Sequence, residues 1–253
     1  HVLIEKPLAP TPEEADEAIA LCDAGNLKLA IGYTRRFDPK YAYINKAIKA
    51  GQIGEPVTCL VSRNITREIG AKIKGRSKMS PAAMGGTHSI DFLLWCLQPR
   101  LPVKVYSQQS GKLFNKVSDT PEHQWIMVTM DDGTTITAGS GWVLPLGYPQ
   151  YSQSWIEIVG TEGALTVDDT HREIQMNTTA HGIRYPLSSM PGEPVDHVFA
   201  SAMVSETNHF IAAVARDRPV LANAREARLV MDVTMAADLS AETGQPVDLG
   251  VRS

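Results

Sequence analysis

The sequence predicts an α/β protein in two parts: the end of a parallel sheet, then an open, mainly antiparallel β-sheet covered on one face by helices. Three observations carry this. Residues 1–33 read as strand, helix and strand with short connections, the pattern of a right-handed parallel βαβ unit. The middle of the chain holds two tight hairpin signals, Asp131-Asp132-Gly133 and Gly160-Thr161-Glu162-Gly163. Sequential hairpins build antiparallel sheet, which needs helices on one face.

The opening His1-Val2-Leu3-Ile4-Glu5-Lys6-Pro7 is a short apolar strand ended by Pro7, which has no N–H and a fixed φ. Lys6 thus stands at a strand's C-terminal tip, where open α/β sheets place ligands. A charged strand end and a functional amine are both compatible with that position. Thr11-Pro12-Glu13-Glu14 is a helix start with a capping box; Ala15, Ala18, Ile19 and Cys22 share one face, and Gly25 supplies the stop. The next strand covers 27–33. Asp38-Pro39 opens a helix with Tyr41, Ile44 and Ile48 inward and Gly51 at its close. A strand over 57–61 runs into Ser62-Arg63-Asn64. Residues 65–80 show no period and read as a loop over the site. A helix starts at Thr87 with Ile90, Leu93, Leu94 and Leu97 as its apolar face. Strands are expected over 103–107, 124–130, 134–140, 154–159, 164–167 and 173–177. Helices over 199–215 and from Asn223 to Gly244 precede a last strand at 246–249.

Composition narrows the function. The 253 residues carry a net charge of -4, and no basic run interleaved with aromatics marks a nucleic-acid surface. No apolar stretch approaches the roughly 18 residues of a membrane span, and no signal peptide is visible. Cys22, Cys59 and Cys96 are widely spaced within apolar patterns, which suits buried thiols in a reducing, cytoplasmic setting. The seven histidines lack metal spacing, so no metal is expected. The chain starts in mid-strand without an initiator Met, and further residues are expected upstream.

Five stretches then align in order: Glu5-Lys6-Pro7; Tyr33-Thr34-Arg35-Arg36-Phe37; the strand ending Arg63-Asn64; Gly86-Thr87-His88-Ser89-Ile90-Asp91; and Val159-Gly160-Thr161-Glu162-Gly163. Together they make the chain resemble the glucose–fructose oxidoreductase / inositol dehydrogenase (Gfo/Idh/MocA) family. The resemblance implies an NAD(P)-dependent oxidoreductase acting on a secondary hydroxyl of a sugar, inositol or related polyol. It also implies a division of the chain. Residues 1–35 end a Rossmann domain that binds NAD or NADP, and 36–253 form a domain for substrate binding and oligomerisation. A homodimer or homotetramer through the sheet is expected, with no nucleic-acid or membrane partner. The family's glycine fingerprint has no match in these residues; Gly51 to Gly54 lies between a helix and a strand, the wrong context for a phosphate loop.

Site residues follow from the same resemblance. Lys6 and His88 are the expected catalytic pair: an ammonium stabilises a developing alkoxide, and an imidazole accepts a proton near neutrality. A helix start at Thr87 would favour neutral His88. Asp91, three residues on, is placed to orient the ring. Glu5, Lys6, Pro7 and Arg35 are assigned to the cofactor, and Arg63, Asn64, Met84 and Asp91 to the substrate. A structural salt bridge is the equal alternative for the Arg35-Arg36 pair. Met84 stands where the family commonly has an aspartate, and Ser80-Pro81 where many members have paired glycines. That departure motivates a rival reading, a non-catalytic sugar-binding or regulatory member. A third reading is an isolated C-terminal domain unable to bind cofactor.

Overall fold

The computed structural model describes residues 1–74, 79–114, 121–169, 174–186 and 193–250. Residues 1–49 form β1 (Val2–Ile4), α1 (Pro12–Ala24), β2 (Leu29–Ile31), a 3-10 turn (Thr34–Phe37) and α2 (Pro39–Lys49). Then come β3 (Pro56–Thr66), α3 (Arg67–Lys74), a π-helical turn (Ala82–Gly86) and α4 (Thr87–Leu97). Five strands follow: β4 (Pro102–Ser110), β5 (His123–Met130), β6 (Thr135–Leu144), β7 (Ser152–Gly160) and β8 (Ala164–Asp168). Two small hairpins pair β9 (Met176–Thr178) with β10 (Gly182–Arg184) and β11 (Glu193–Val195) with β12 (Val198–Ala200). The order ends with α5 (Ala202–Ala215), α6 (Ala224–Thr243) and β13 (Val247–Asp248).

Two compact units result: His1–Lys46 with Leu187–Asp232, and Ala47–Pro186 with Val233–Ser253. The sequence boundary at 35/36 does not coincide with this division, for reasons visible inside the first unit. There β1 and β2 pair in parallel, and Ala222-Asn223 extends the pair antiparallel, with Ile31 N donating to Ala222 O at 3.0 Å. Helix α5 packs on the 3-10 turn, and its His209 ring lies 5.3 Å from Phe37. Residues near 200–230 are therefore core partners of the N-terminus. The capping box of α1 is present, with Glu14 N donating to Thr11 Oγ1 and Thr11 N to Glu14 Oε2, both at 3.2 Å. The left-handed residue after α1 is Asn26 (φ 49), while Gly25 stays at φ -86.

The second unit is a seven-stranded sheet in the order β13-β4-β5-β6-β3-β7-β8. Within this sheet β3 and β6 pair in parallel, and every other neighbouring pair is antiparallel. Alternation along β5 buries Gln124, Ile126, Val128 and Met130 and leaves Trp125 and Met127 exposed, so the sheet has one covered and one open face. Helices α3 and α4 pack against β3 and β6. Both expected hairpins form. Gly133 takes φ 90 in the first. The second turn docks on the chain entering β3, with Thr161 N donating to Glu55 O (2.9 Å) and Glu162 N to Ile53 O (3.0 Å). A Cβ on Gly160 would lie 2.2 Å from Ile53 O, so only glycine fits there. All three cysteines are free and buried.

Three local expectations need correction. Residues 65–80 are not one loop: β3 continues to Thr66 and α3 spans Arg67–Lys74. Glu68 and Lys72 pair four residues apart at 2.9 Å, and Gly70 packs so closely on Trp142 that a Cβ there would lie 2.5 Å from Trp142 Cβ, so the helix has support that hydrophobic period does not reveal. Residues 75–78 lie outside the described residues. Phe199 belongs to β12, and α5 begins at Ala202 because Ser201 caps it, accepting from Val204 N. The strand expected at 173–177 is β9, starting at Met176, with Glu173 outside the described residues.

Candidate functional site

In the first unit, β1 and β2 are in register from Val2↔Leu29 to Ile4↔Ile31. Glu5-Lys6-Pro7 and Gly32-Tyr33 consequently leave the sheet at the same edge, the carboxyl edge where α/β sheets hold nucleotides. Gly32 makes room for its neighbour, since a Cβ there would lie 3.0 Å from Glu5 Oε2 and 3.4 Å from Glu5 Cα. Lys6 and Pro7 are half-buried and Glu5 is exposed. The pyrophosphate grip of a glycine loop has no match in these residues.

The arginine pair divides its roles. Arg36 is an ion-pair residue: its Nη1 donates to Leu221 O at 2.9 Å and to the carboxylate of Glu226. Glu226 is held in turn by the Asn223 cap of α6, with Asn223 Nδ2 donating at 2.7 Å. Arg35 is 6% exposed, with its guanidinium over the Tyr41 ring at 5.2 Å. The Arg36 ion pair lies within the first unit.

In the second unit, the site helix starts earlier than the sequence reading placed it. Ser80 caps it, with Ala83 N donating to Ser80 Oγ (3.1 Å) and Met84 N to Ser80 O (2.9 Å). Pro81 follows at the first helical position, and Gly86 keeps helical angles (φ -60, ψ -35). His88 therefore stands about two turns inside a continuous helix, beyond the first turn in which the dipole acts. The dipole argument for its charge state does not apply.

The helix nevertheless singles His88 out. Every other residue of α4 is buried, and His88 alone is half-exposed. Met84 is half-buried four residues before it. Asp91 is completely buried (0%), which leaves it no surface for substrate. Its spacing of three residues places it on the same helical face as His88.

Arg63 and Asn64 part company, because successive strand residues face opposite sides. Arg63 reaches the helix side, its Nη1 lying 3.3 Å from the position a Cβ on Gly85 would take. Asn64 shares the other side with Ser62, donating from Nδ2 to Ser62 Oγ at 3.4 Å. Both lie toward the carboxyl end of the parallel pair β3/β6. Asn64 Oδ1 is buried and accepts no hydrogen bond among the described residues, and Trp142 Nε1, on β6, is a buried donor with no acceptor among them.

Sequence reading passed over a further set. Asp238 on α6 accepts from Ser80 Oγ (2.8 Å) and Gln124 Nε2 (3.1 Å), and Gln124 Oε1 accepts from Ala82 N (3.1 Å). The available signals were Ser80-Pro81 as a cap signature and polar residues at the inward positions of β5 and α6.

Residues 41–166 match the GFO/IDH/MocA C-terminal domain. Over all of this chain and 71% of its own length, a scyllo-inositol 2-dehydrogenase (NAD(+)) of Bacillus subtilis is 24% identical. An inositol 2-dehydrogenase 2 of Paenarthrobacter aurescens is 33% identical over 54% of this chain and 41% of its own. Among solved structures, scyllo-inositol dehydrogenase of Lactobacillus casei with bound NAD(H) and scyllo-inositol superposes with a TM-score of 0.80 at 18% identity, covering 98% of this chain and 73% of that one.

Proposed function

Because the chain belongs to the Gfo/Idh/MocA family of oxidoreductases, we propose that it serves an NAD- or NADP-dependent dehydrogenase of a secondary hydroxyl on an inositol, a sugar or a related polyol. The observation that carries the reading is His88, the one residue of an otherwise buried helix that reaches the surface. Inositol dehydrogenases among the relatives support the polyol class, and the B. subtilis relative's name supports NAD.

A bound nicotinamide supplies the hydride acceptor. The chain's own residues do the rest. His88 takes the hydroxyl proton, and the Lys6 ammonium stabilises the oxygen as negative charge develops on it. Asp91, with no surface for substrate, acts by positioning the imidazole. Arg63, which reaches the helix side of β3, is the hydroxyl contact. Glu5, Pro7 and Arg35 shape the nicotinamide end. The open sheet face, with Trp125 41%, Met127 53% and Trp155 37% exposed, joins copies into a homodimer or homotetramer.

Met84 favours a second reading, binding without turnover, since a thioether replaces the charged acceptor common at this place. The test is turnover of a polyol panel by the full-length gene product, followed as NAD(P)H formation. Lys6→Ala and His88→Ala are each expected to lower kcat by about 100-fold or more. Wild-type rates in both variants would refute the assignment. Thermal stabilisation by a polyol with no turnover would support the second reading instead.

A further inference from the structure

We propose that Asp238 is a positioning residue for the helix that carries His88, acting through Ser80 and Gln124. This rests on the reading of His88 as proton acceptor. The first backbone N–H groups of any helix lack intrahelical partners and must be satisfied from outside. Here the Ser80 hydroxyl takes Ala83 N and the Gln124 amide oxygen takes Ala82 N, both at 3.1 Å. Neither group is self-sufficient. Ser80 Oγ donates to Asp238 Oδ2 (2.8 Å), and Gln124 Nε2 donates to Asp238 Oδ1 (3.1 Å) and to Ser107 Oγ (3.0 Å).

One carboxylate therefore fixes the orientation of both capping groups. Acceptance at both its oxygens forces the Ser80 hydroxyl to donate to Asp238, leaving its lone pairs for Ala83. It likewise forces the Gln124 amide to present its NH2 to Asp238 and its oxygen to Ala82. Gln109 Nε2, at 3.5 Å, is a more distant third donor to Asp238. The anchor is rigid: Ser240, two residues further along the same helix, accepts from the β4 backbone at Ser107 N (2.9 Å). Gln124 is fully buried on β5 and Ser80 half-buried, so water is a poor substitute at Gln124. The π-helical turn at Ala82–Gly86 lies directly downstream of the clamp and directly upstream of His88. A rotation of the cap is thus passed along the helix to the imidazole.

Asp238→Asn tests this, because it keeps size while placing an NH2 against the donors of Ser80 or Gln124. Amide exchange across residues 79–90 should quicken, and kcat should fall about tenfold with KM for polyol within about twofold, as expected for a misplaced catalytic group. The double variant Asp238→Asn/Gln124→Glu exchanges the donor and acceptor ends. The carboxylate introduced on β5 still accepts from Ala82 N and takes the NH2 of the amide introduced on α6, while the Ser107 hydroxyl turns from Trp125 O to donate to it, so exchange and kcat should both return to within about threefold of wild type. Ser80→Ala, which leaves the Gln124 arm intact, is the milder variant should Asp238→Asn not fold, and it should quicken exchange over 82–84. Unchanged exchange in Asp238→Asn and Ser80→Ala would overturn the proposal. So would a double variant that folds with the wild-type Tm yet stays as impaired as the single. A wild-type protein without polyol turnover would remove the catalytic reading alone, and the exchange results would still decide the clamp.

Discussion

Burial works against the charge of Asp238 and raises its pKa, although the bonds from Ser80 and Gln124 pull the other way. A folded-state pKa above the unfolded value means that the folded protein binds the extra proton within that window. Stability from this group therefore falls as pH rises from the ordinary carboxylate range through the raised pKa, then levels off. Urea unfolding of wild type and Asp238→Asn across pH 4–8 isolates it, since all other carboxylates cancel in the difference. The stability of wild type minus variant should decline with rising pH; a rising difference would contradict this account. Asp238 also shows why part of the site escapes sequence reading. His88, Lys6 and Asn64 stand in ordered motifs, whereas Asp238, Gln124 and Ser80 lie up to 158 positions apart and meet only in the fold. Strand period alone sets Arg63 and Asn64 on opposite faces, although the sequence reading assigned both to the substrate.

Elements with a local signature were legible too. The Thr11 capping box, the hairpin at Gly133 and the cap of α6 at Asn223 each rest on neighbours within a few residues. Helix α3 was not, because its support comes from Trp142 on β6, reached only after β3 and β6 pair. The start of the site helix was placed at Thr87, where the apolar period begins, while packing holds Gly85 and Gly86 helical before it. Gly85 lies where a Cβ would be 2.5 Å from Ser140 Oγ, so its lack of a side chain serves helix–sheet contact. The Val159–Gly163 stretch has an equally structural reason. Gly160→Ala would drive a Cβ into the Ile53 carbonyl, a backbone atom that cannot swing aside. About 1–3 kcal/mol of stability should be lost in denaturant unfolding, and an unchanged midpoint would show that the docked turn is not held as described.

At the scale of the molecule, the antiparallel sheet and its helical cover were predictable from hairpin spacing, but the partition into units was not. It depends on α5 meeting the 3-10 turn and on Ala222 reaching Ile31, contacts that no local pattern encodes. The open face carries its own prediction. Trp125 packs on Gly139, whose added Cβ would be 2.5 Å from the ring, and is 41% exposed. Met127→Glu should shift the protein toward monomer in sedimentation, and an unchanged mass would remove this face from assembly. In the proposed reaction a carbon–hydrogen bond of the polyol breaks as His88 takes the hydroxyl proton. An inositol deuterated at its carbinol carbons, turned over by the full-length gene product with NAD or NADP, tests it by NMR of the nicotinamide. Deuterium at C4 of the reduced ring, formed about 100-fold or more slowly by His88→Ala, is the predicted result. Reduced nicotinamide without label, or an equal rate in the variant, would contradict it.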